Sequence, residues 1–166
     1  MEKGEIKQRL AIRNRKGEII EKFSSIDEVL DFAIDRESEA HAFYLRIAEM
    51  VKKPELIEIL KVFATEEVEH RVRLEALKAG ELAIKKKEVG NLNIADYVSD
   101  VEPHPNMNYT ELLVVAMKKE KLSYRLYTDL AALDQRKEFR DIFLKLAQEE
   151  AEHKLRFELE YDLTTF

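Results

Sequence analysis

TEEVEHR at residues 65–71 and QEEAEHK at residues 148–154 each place a glutamate three residues before a histidine, in a chain with four histidines in all. Both stretches lie in long segments where apolar residues recur at steps of three and four, the pattern of an amphipathic helix. Residues three apart lie on one face of a helix, so each glutamate and histidine can converge on one site. A single pair of this kind is weak support for a metal site, but two pairs are a specific pattern.

The two stretches belong to an internal duplication. FATEEVEHRVRLE at residues 63–75 aligns without a gap with LAQEEAEHKLRFE at residues 146–158, at an offset of 83 residues. At the same offset, AIDRESEAHAFYLRIA at residues 33–48 aligns with AMKKEKLSYRLYTDLA at residues 116–131. Because the register holds through two helical segments and their connection, the sequence predicts a duplicated helical hairpin.

Four predicted helices account for the duplication. Ser25 followed by Glu28, and Asn108 followed by Glu111, have the spacing of a helix-starting capping box. The predicted helices span residues 25 to about 52, 54 to 80, 108 to about 133, and 138 to nearly the C-terminus.

These helices predict an all-α fold, a four-helix bundle over residues 25–166, preceded by an N-terminal extension over residues 1–24. The connections within each hairpin are short, whereas the crossover at residues 81–107 is long. Two antiparallel hairpins joined by a long crossover can pack around a pseudo-two-fold axis.

Polar residues interrupt the apolar seam of every predicted helix. Each seam carries a glutamate at mid-helix, and two seams also carry a histidine: Glu37, Glu67, His70, Glu120, Glu150 and His153. Four buried carboxylates must be protonated, ion-paired or bound to cations, and no lysine or arginine occupies these seams. Two divalent ions would balance the four negative charges, and each histidine would add a neutral nitrogen ligand. The sequence therefore favours a two-metal site inside the bundle.

Composition excludes several other classes of protein. The chain has no cysteine, which removes disulfides, thiolate nucleophiles and cysteine-ligated metal sites. Its net charge of −6, with acidic and basic residues interspersed, argues against nucleic acid as a partner. We find no signal peptide and no apolar stretch of the length that a membrane span needs, so we expect a cytoplasmic protein without a membrane partner.

At the six seam residues the chain resembles the ferritin-like superfamily of di-iron carboxylate proteins, and most closely the di-iron domain of rubrerythrin. The resemblance covers about residues 25–162 and implies a ferritin-like four-helix bundle. By motif, Glu37 and His70 would be terminal ligands of one metal, and Glu120 and His153 of the other. Glu67 and Glu150 would bridge the two metals.

The resemblance also implies tyrosines that hydrogen-bond the ligand carboxylates. Tyr44 and Tyr127 lie seven residues after the upstream glutamates and match such positions, although either could be an ordinary core residue. His41 is a further candidate for contact with the site, with a partly exposed helix residue as the alternative. Glu66 and Glu149 are interpreted as solvated residues that pair within their own helices.

Two departures from rubrerythrin bear on function. A rubredoxin domain would bring four cysteines, and this chain has none, so electrons would come from an external donor protein. Ser123 occupies the position of a second glutamate on the third helix of rubrerythrin. The remaining set of four glutamates and two histidines is closer to bacterioferritin-type centres.

These observations lead to a di-iron oxidoreductase as the first hypothesis, with two Fe ions that react with hydrogen peroxide or O₂. Peroxide reduction is preferred by resemblance, ferroxidase activity comes next, and a di-manganese catalase uses similar ligands, so Mn is the alternative metal. Iron binding or storage without turnover is a second hypothesis, and an empty, vestigial site in a structural module is a third. We also expect a homodimer, in which the crossover could exchange a hairpin between chains.

Overall fold

The computed structural model describes residues 12–20, 22–80, 92–133 and 136–165. Within these ranges the secondary structure consists of two short strands, four long helices and one 3₁₀ helix. In chain order they are β1 (Ile12–Arg13), β2 (Ile19–Ile20), α1 (Ile26–Met50), α2 (Pro54–Ala79), the 3₁₀ helix (Ile94–Tyr97), α3 (Tyr109–Leu133) and α4 (Lys137–Thr165). The predicted four-helix bundle is confirmed. None of the helices in the described ranges has the length and apolar character needed to cross a membrane.

The predicted helix starts are confirmed by their caps. The Ser25 Oγ accepts a hydrogen bond from the Glu28 N–H at 3.1 Å, and the Asn108 Oδ1 accepts one from the Glu111 N–H at 2.9 Å. Each bond satisfies a backbone donor that the first helical turn leaves without a partner. Pro54 begins α2, where its missing N–H costs nothing.

The four helices pack as two hairpins. α1 packs along α2, and α3 packs along α4, whereas helices of different hairpins make fewer contacts, with those between α1 and α3 the most numerous. The duplicated halves of the sequence therefore correspond to two helix pairs, as predicted. The gap between α1 and α3 is bordered by the second part of the crossover; its first part, residues 81–91, lies outside the described residues.

The described part of the crossover is tied to both hairpins by polar contacts. The Tyr97 hydroxyl donates to the Asp129 carboxylate at 2.7 Å, and Lys119 pairs with Glu102 at 3.3 Å. On the other side, the Arg46 guanidinium donates to the His104 carbonyl at 3.1 Å. The crossover is thus held across the face of the bundle that α1 and α3 form.

The extension predicted at residues 1–24 contains structure that the sequence analysis did not assign. Its residues 1–11 and 21 lie outside the described residues. β1 and β2 pair antiparallel, and Gly17 in their turn has a φ of +83°, a conformation that glycine adopts without a steric penalty. Phe23 is buried against the bundle core, so this segment adds to the packing of the helices.

The apolar core is divided into two clusters. The Phe143 cluster includes Leu30, Leu74 and Leu146, and the Phe157 cluster includes Leu60. Between them lie six buried polar residues, which we call the polar layer: Glu37, Glu67, His70, Glu120, Glu150 and His153. Each residue of the polar layer is no more than 1% exposed, so the predicted ligands lie inside the bundle.

Candidate metal centre

The structure brings all six predicted ligand residues together in two overlapping groups. One group is formed by Glu37, Glu67, His70 and Glu150, and the other by Glu67, Glu120, Glu150 and His153. Each group draws on α1 or α3 for one carboxylate and on α2 and α4 for the rest. Glu67 and Glu150 belong to both groups, which is the arrangement that bridging ligands require.

The spacing of the ligand atoms fits metal ions. In each group, one oxygen or nitrogen atom from every residue lies within 4.8 Å of the others. Carboxylate and imidazole ligands bind transition-metal ions at about 2.0–2.2 Å, so atoms on opposite sides of one ion are up to about 4.4 Å apart. Each group therefore needs little contraction to surround one ion.

The hydrogen bonding of the polar layer also fits bound ions. Every residue of the polar layer has at least one buried side-chain oxygen or nitrogen atom without a hydrogen-bond partner. Buried polar atoms in folded proteins are nearly always satisfied, and leaving several unpaired in one place is costly. Divalent ions at the two groups would satisfy these atoms together.

Both histidines direct their Nδ1 atoms toward the glutamates. The His70 Nδ1 is 2.7 Å from the Glu150 Oε1 and 3.4 Å from the Glu67 Oε1. The His153 Nδ1 is 3.2 Å from the same Glu67 oxygen and 3.6 Å from the Glu120 Oε1. Nδ1 is therefore the nitrogen that each histidine offers to a metal, and Nε2 is left to carry a proton.

The Nε2–H of each histidine donates a hydrogen bond to a glutamate of the opposite hairpin. The His70 Nε2 is 2.7 Å from the Glu149 Oε2, and the His153 Nε2 is 2.5 Å from the Glu66 Oε2. A carboxylate in this place fixes the tautomer and ring orientation of a metal-binding histidine. The interpretation of Glu66 and Glu149 as solvated residues was wrong, because each turns toward the neighbouring helix and is partly shielded there.

Glu149 accepts a second hydrogen bond, in addition to that from His70. The Arg73 guanidinium donates to the same Glu149 oxygen at 3.0 Å. Burial alone would raise the pKa of Glu149, but the hydrogen bonds and charges of His70 and Arg73 outweigh it and lower that pKa. Glu149 is thus held as a carboxylate in contact with His70.

A substitution at Glu149 tests its role as an orienting group. We expect Glu149→Gln to weaken metal binding at the His70 group by about 10-fold or more, because outer hydrogen-bond partners of metal ligands have effects of this size. Isothermal titration of the metal-free variant measures the change. Glu152→Gln, at an exposed position on the same helix, is the matched control; equal affinities of both variants would contradict the assignment.

The two predicted tyrosines differ in their contacts. The Tyr127 hydroxyl donates a short hydrogen bond to the Glu37 Oε1, as predicted. Tyr44 is equally buried, and its ring meets the His153 ring edge-on at a centroid distance of 6.2 Å. Phe63 stacks on the His153 ring, at 4.0 Å between centroids.

His41 and Ser123 stay outside the two groups. The His41 Nδ1 donates to the Ala64 carbonyl at 2.8 Å, which links α1 to α2 rather than contacting a ligand. Ser123 is partly buried and supplies no carboxylate. Within the described residues, the groups that could hold a metal therefore contain four glutamates and two histidines.

Protons replace cations in the polar layer when no metal is bound. Burial raises the pKa of Glu120 to about 8, and burial together with neighbouring carboxylates raises the pKa values of Glu67 and Glu150 well above their usual range. Burial also opposes charge on Glu37 and His70, but contact with His70 lowers the Glu37 pKa, and contacts with Glu150 and Glu37 raise the His70 pKa to about 11. Metal binding must displace these protons.

A bundle of two antiparallel hairpins around four carboxylates and two histidines defines the class of ferritin-like di-metal carboxylate proteins. The chain belongs to the rubrerythrin family, since the family model described as Rubrerythrin matches residues 28–161. A search of curated proteins gave no match.

Among solved structures, the chain is similar to a hypothetical protein from Pyrococcus furiosus. The two sequences are 27% identical, the TM-score is 0.66, and the match covers 84% of this chain and 89% of that protein. The similarity extends over most of both chains and supports the same helical bundle.

Proposed function

We propose that this protein is a di-iron oxidoreductase that reduces hydrogen peroxide with electrons from an external donor protein. The observation that carries the proposal is the polar layer, in which buried glutamate and histidine atoms lack hydrogen-bond partners and lie close enough to surround two ions. Membership of the rubrerythrin family supports a di-iron centre. Carboxylate and imidazole ligands suit iron and manganese and do not favour copper.

The residues that would hold the metals divide into terminal and shared ligands. Glu37 and His70 face one position, and Glu120 and His153 face the other. When bound, two Fe(II) ions supply the two electrons that, with two protons, convert hydrogen peroxide into two water molecules, and the donor protein then restores the electrons. The chain itself provides the geometry and the exclusion of bulk water.

Several contacts fix the ligands before any metal binds. Tyr127 holds Glu37, while Glu149 and Glu66 hold His70 and His153 from the opposite hairpin. Ligands that are oriented in advance lose less conformational entropy when they bind a metal. These hydrogen bonds also keep a proton on the Nε2 of each histidine, which leaves Nδ1 free to coordinate.

The apolar clusters on either side of the polar layer keep it dry. Phe63 covers the His153 ring, and Phe143 and Leu146 are fully buried in the cluster on the other side. A surround of low polarity strengthens the electrostatic interactions inside it and limits side reactions with water.

An anaerobic Fe(II) titration followed by oxidant pulses tests the proposal. We expect saturation at two Fe(II) per chain and faster oxidation by a stoichiometric pulse of hydrogen peroxide than by O₂. Glu67→Gln should lose the two-metal stoichiometry, because it removes a shared ligand. Glu69→Gln, an exposed glutamate two residues away on α2, is the matched control and should behave as the wild type.

Other outcomes would favour the alternatives. Faster oxidation by O₂ than by peroxide would indicate a ferroxidase, and tight Mn(II) binding with peroxide disproportionation would indicate a di-manganese catalase. Absence of Fe(II) binding, or binding unchanged in Glu67→Gln, would contradict the di-iron centre. The homodimer stays a prediction, which sedimentation at micromolar concentration would refute by showing a monomer.

A further inference from the structure

A small cavity on the side of the bundle borders the polar layer at Glu120. It lies between α1, α3 and the crossover, and its volume is about 40 Å³. Its lining includes Tyr44, Ala40, Glu120, Ser123 and Ser99 of the crossover. We call this cavity the α1–α3 channel.

One residue that lines the channel has a carboxylate oxygen without a hydrogen-bond partner. Glu120 is 1% exposed and lines the channel, and its Oε2 has no hydrogen-bond partner. A buried carboxylate oxygen left unpaired is costly unless a ligand or an ion meets it. The channel therefore leads to a group that takes part in the candidate metal centre.

Small residues open the channel at equivalent places in the two halves of the chain. Ala40 lies three residues after Glu37, and Ser123 lies three residues after Glu120, so each stands one helical turn along from a terminal ligand. Both residues line the cavity between α1 and α3. The duplication thus places both small residues beside the same gap.

The channel wall is mostly apolar and carries a few polar side chains. The Ser99 hydroxyl already has a hydrogen-bond partner, since it donates to the Val101 carbonyl at 2.7 Å. Within the described residues, no hydrogen bond uses the Ser123 hydroxyl, which leaves it able to bind a solute in the channel. Lys119 and Glu102 line the same cavity and make it polar toward the solvent.

We propose that the α1–α3 channel is the route by which a water-sized oxidant such as hydrogen peroxide reaches the metal centre, and that its width excludes organic hydroperoxides. The inference rests on the proposed function. A water molecule needs roughly 10–15 Å³ of cavity volume. The channel, with about 40 Å³, therefore holds only a few water-sized groups. Hydrogen peroxide has two heavy atoms and fits, whereas tert-butyl hydroperoxide carries a branched carbon group that does not.

Two substitutions that fill the channel test the route. Ser123→Leu and Ala40→Leu are expected to slow azide binding to the Co(II)-loaded protein, and peroxide oxidation of the Fe(II)-loaded protein, by roughly tenfold, because the added atoms exceed the free space. Both should still bind two metals per chain at equilibrium. Ala42→Leu makes the same change at an exposed position on α1 and is the matched control.

A substitution that widens the channel provides the opposite test. Leu122 lines the channel, and Leu122→Ala is expected to raise the rate of oxidation by tert-butyl hydroperoxide severalfold relative to that by hydrogen peroxide. This variant keeps the proposal testable if the leucine variants fold poorly.

The outcomes separate the route from the function. Azide binding at wild-type rates in Ser123→Leu and Ala40→Leu, in protein that binds two Co(II), would overturn the channel whatever the peroxide activity. Slow azide binding in those variants, in a protein inert to peroxide, would support the channel and overturn the proposed function. Absence of metal binding in the wild type would overturn both.

Discussion

Loading the metal-free protein with Fe(II) is expected to raise its melting temperature by about 15 °C or more under anaerobic conditions. A ligand at 1,000 times its dissociation constant stabilises the folded state by about 4 kcal/mol per site, and two sites double this value. For a chain of this length, each kcal/mol moves the melting temperature by about 2–4 °C. The physical reason is that two divalent ions neutralise four carboxylates that are buried in the polar layer.

Differential scanning calorimetry with and without metal measures this effect. Glu67→Gln should lose most of the metal-dependent shift, because Glu67 belongs to both ligand groups. Glu69→Gln should keep the full shift. An unchanged melting temperature on addition of Fe(II) or Mn(II) to the wild type would favour the vestigial site in a structural module.

The metal-free protein is expected to lose stability as the pH rises from about 5 to 8. Glu120 has an ordinary pKa of 4.5 and a folded pKa of about 8, so across this window the folded state keeps a proton that the unfolded state has released. A folded state that binds more protons becomes less stable as the pH rises. His70 acts in the same direction above pH 6.5, because its folded pKa is about 11.

The size of the pH effect is large for a single domain. A pKa change such as that of Glu120 corresponds to at most about 5 kcal/mol. Glu37 and Glu149, whose pKa values are lowered, oppose the trend only near and below pH 4.5. The metal-bound protein should instead grow more stable between pH 5 and 8, because metal binding releases protons and is favoured at higher pH.

Urea unfolding of the metal-free protein at several pH values checks this prediction. Glu120→Gln should flatten the pH dependence and raise the stability of the metal-free protein at pH 8, while it weakens metal binding. Glu49→Gln, at an exposed position, should leave the pH dependence unchanged. A metal-free wild type that grows more stable between pH 5 and 8 would contradict the protonation pattern of the polar layer.

The sequence alone predicted the bundle and the grouping of the six polar-layer residues, because helical periodicity and duplication act at short range. A glutamate in an apolar seam points inward wherever the helix packs, and the offset of 83 residues relates both halves. The capping residues Ser25 and Asn108 located helix starts for a similarly local reason.

The features that the sequence analysis missed depend on contacts between distant segments. Glu66 and Glu149 contact histidines of the opposite hairpin, and same-helix spacing cannot reveal such a partner. Their equivalence at the offset of 83 residues, directly before the shared ligands, was the available signal. The hairpin of β1 and β2 is short, and Gly17 in its turn was the main feature of the sequence that could have predicted it.

The separation of the core into the Phe143 cluster and the Phe157 cluster has a consequence for the cell. Among the described residues the two clusters are separate, so a metal ion bound between them would also cross-link the core. Under metal starvation we expect a larger fraction of chains to open and to become substrates for proteases. The lifetime of the protein would then report the metal supply, independently of any control of its synthesis.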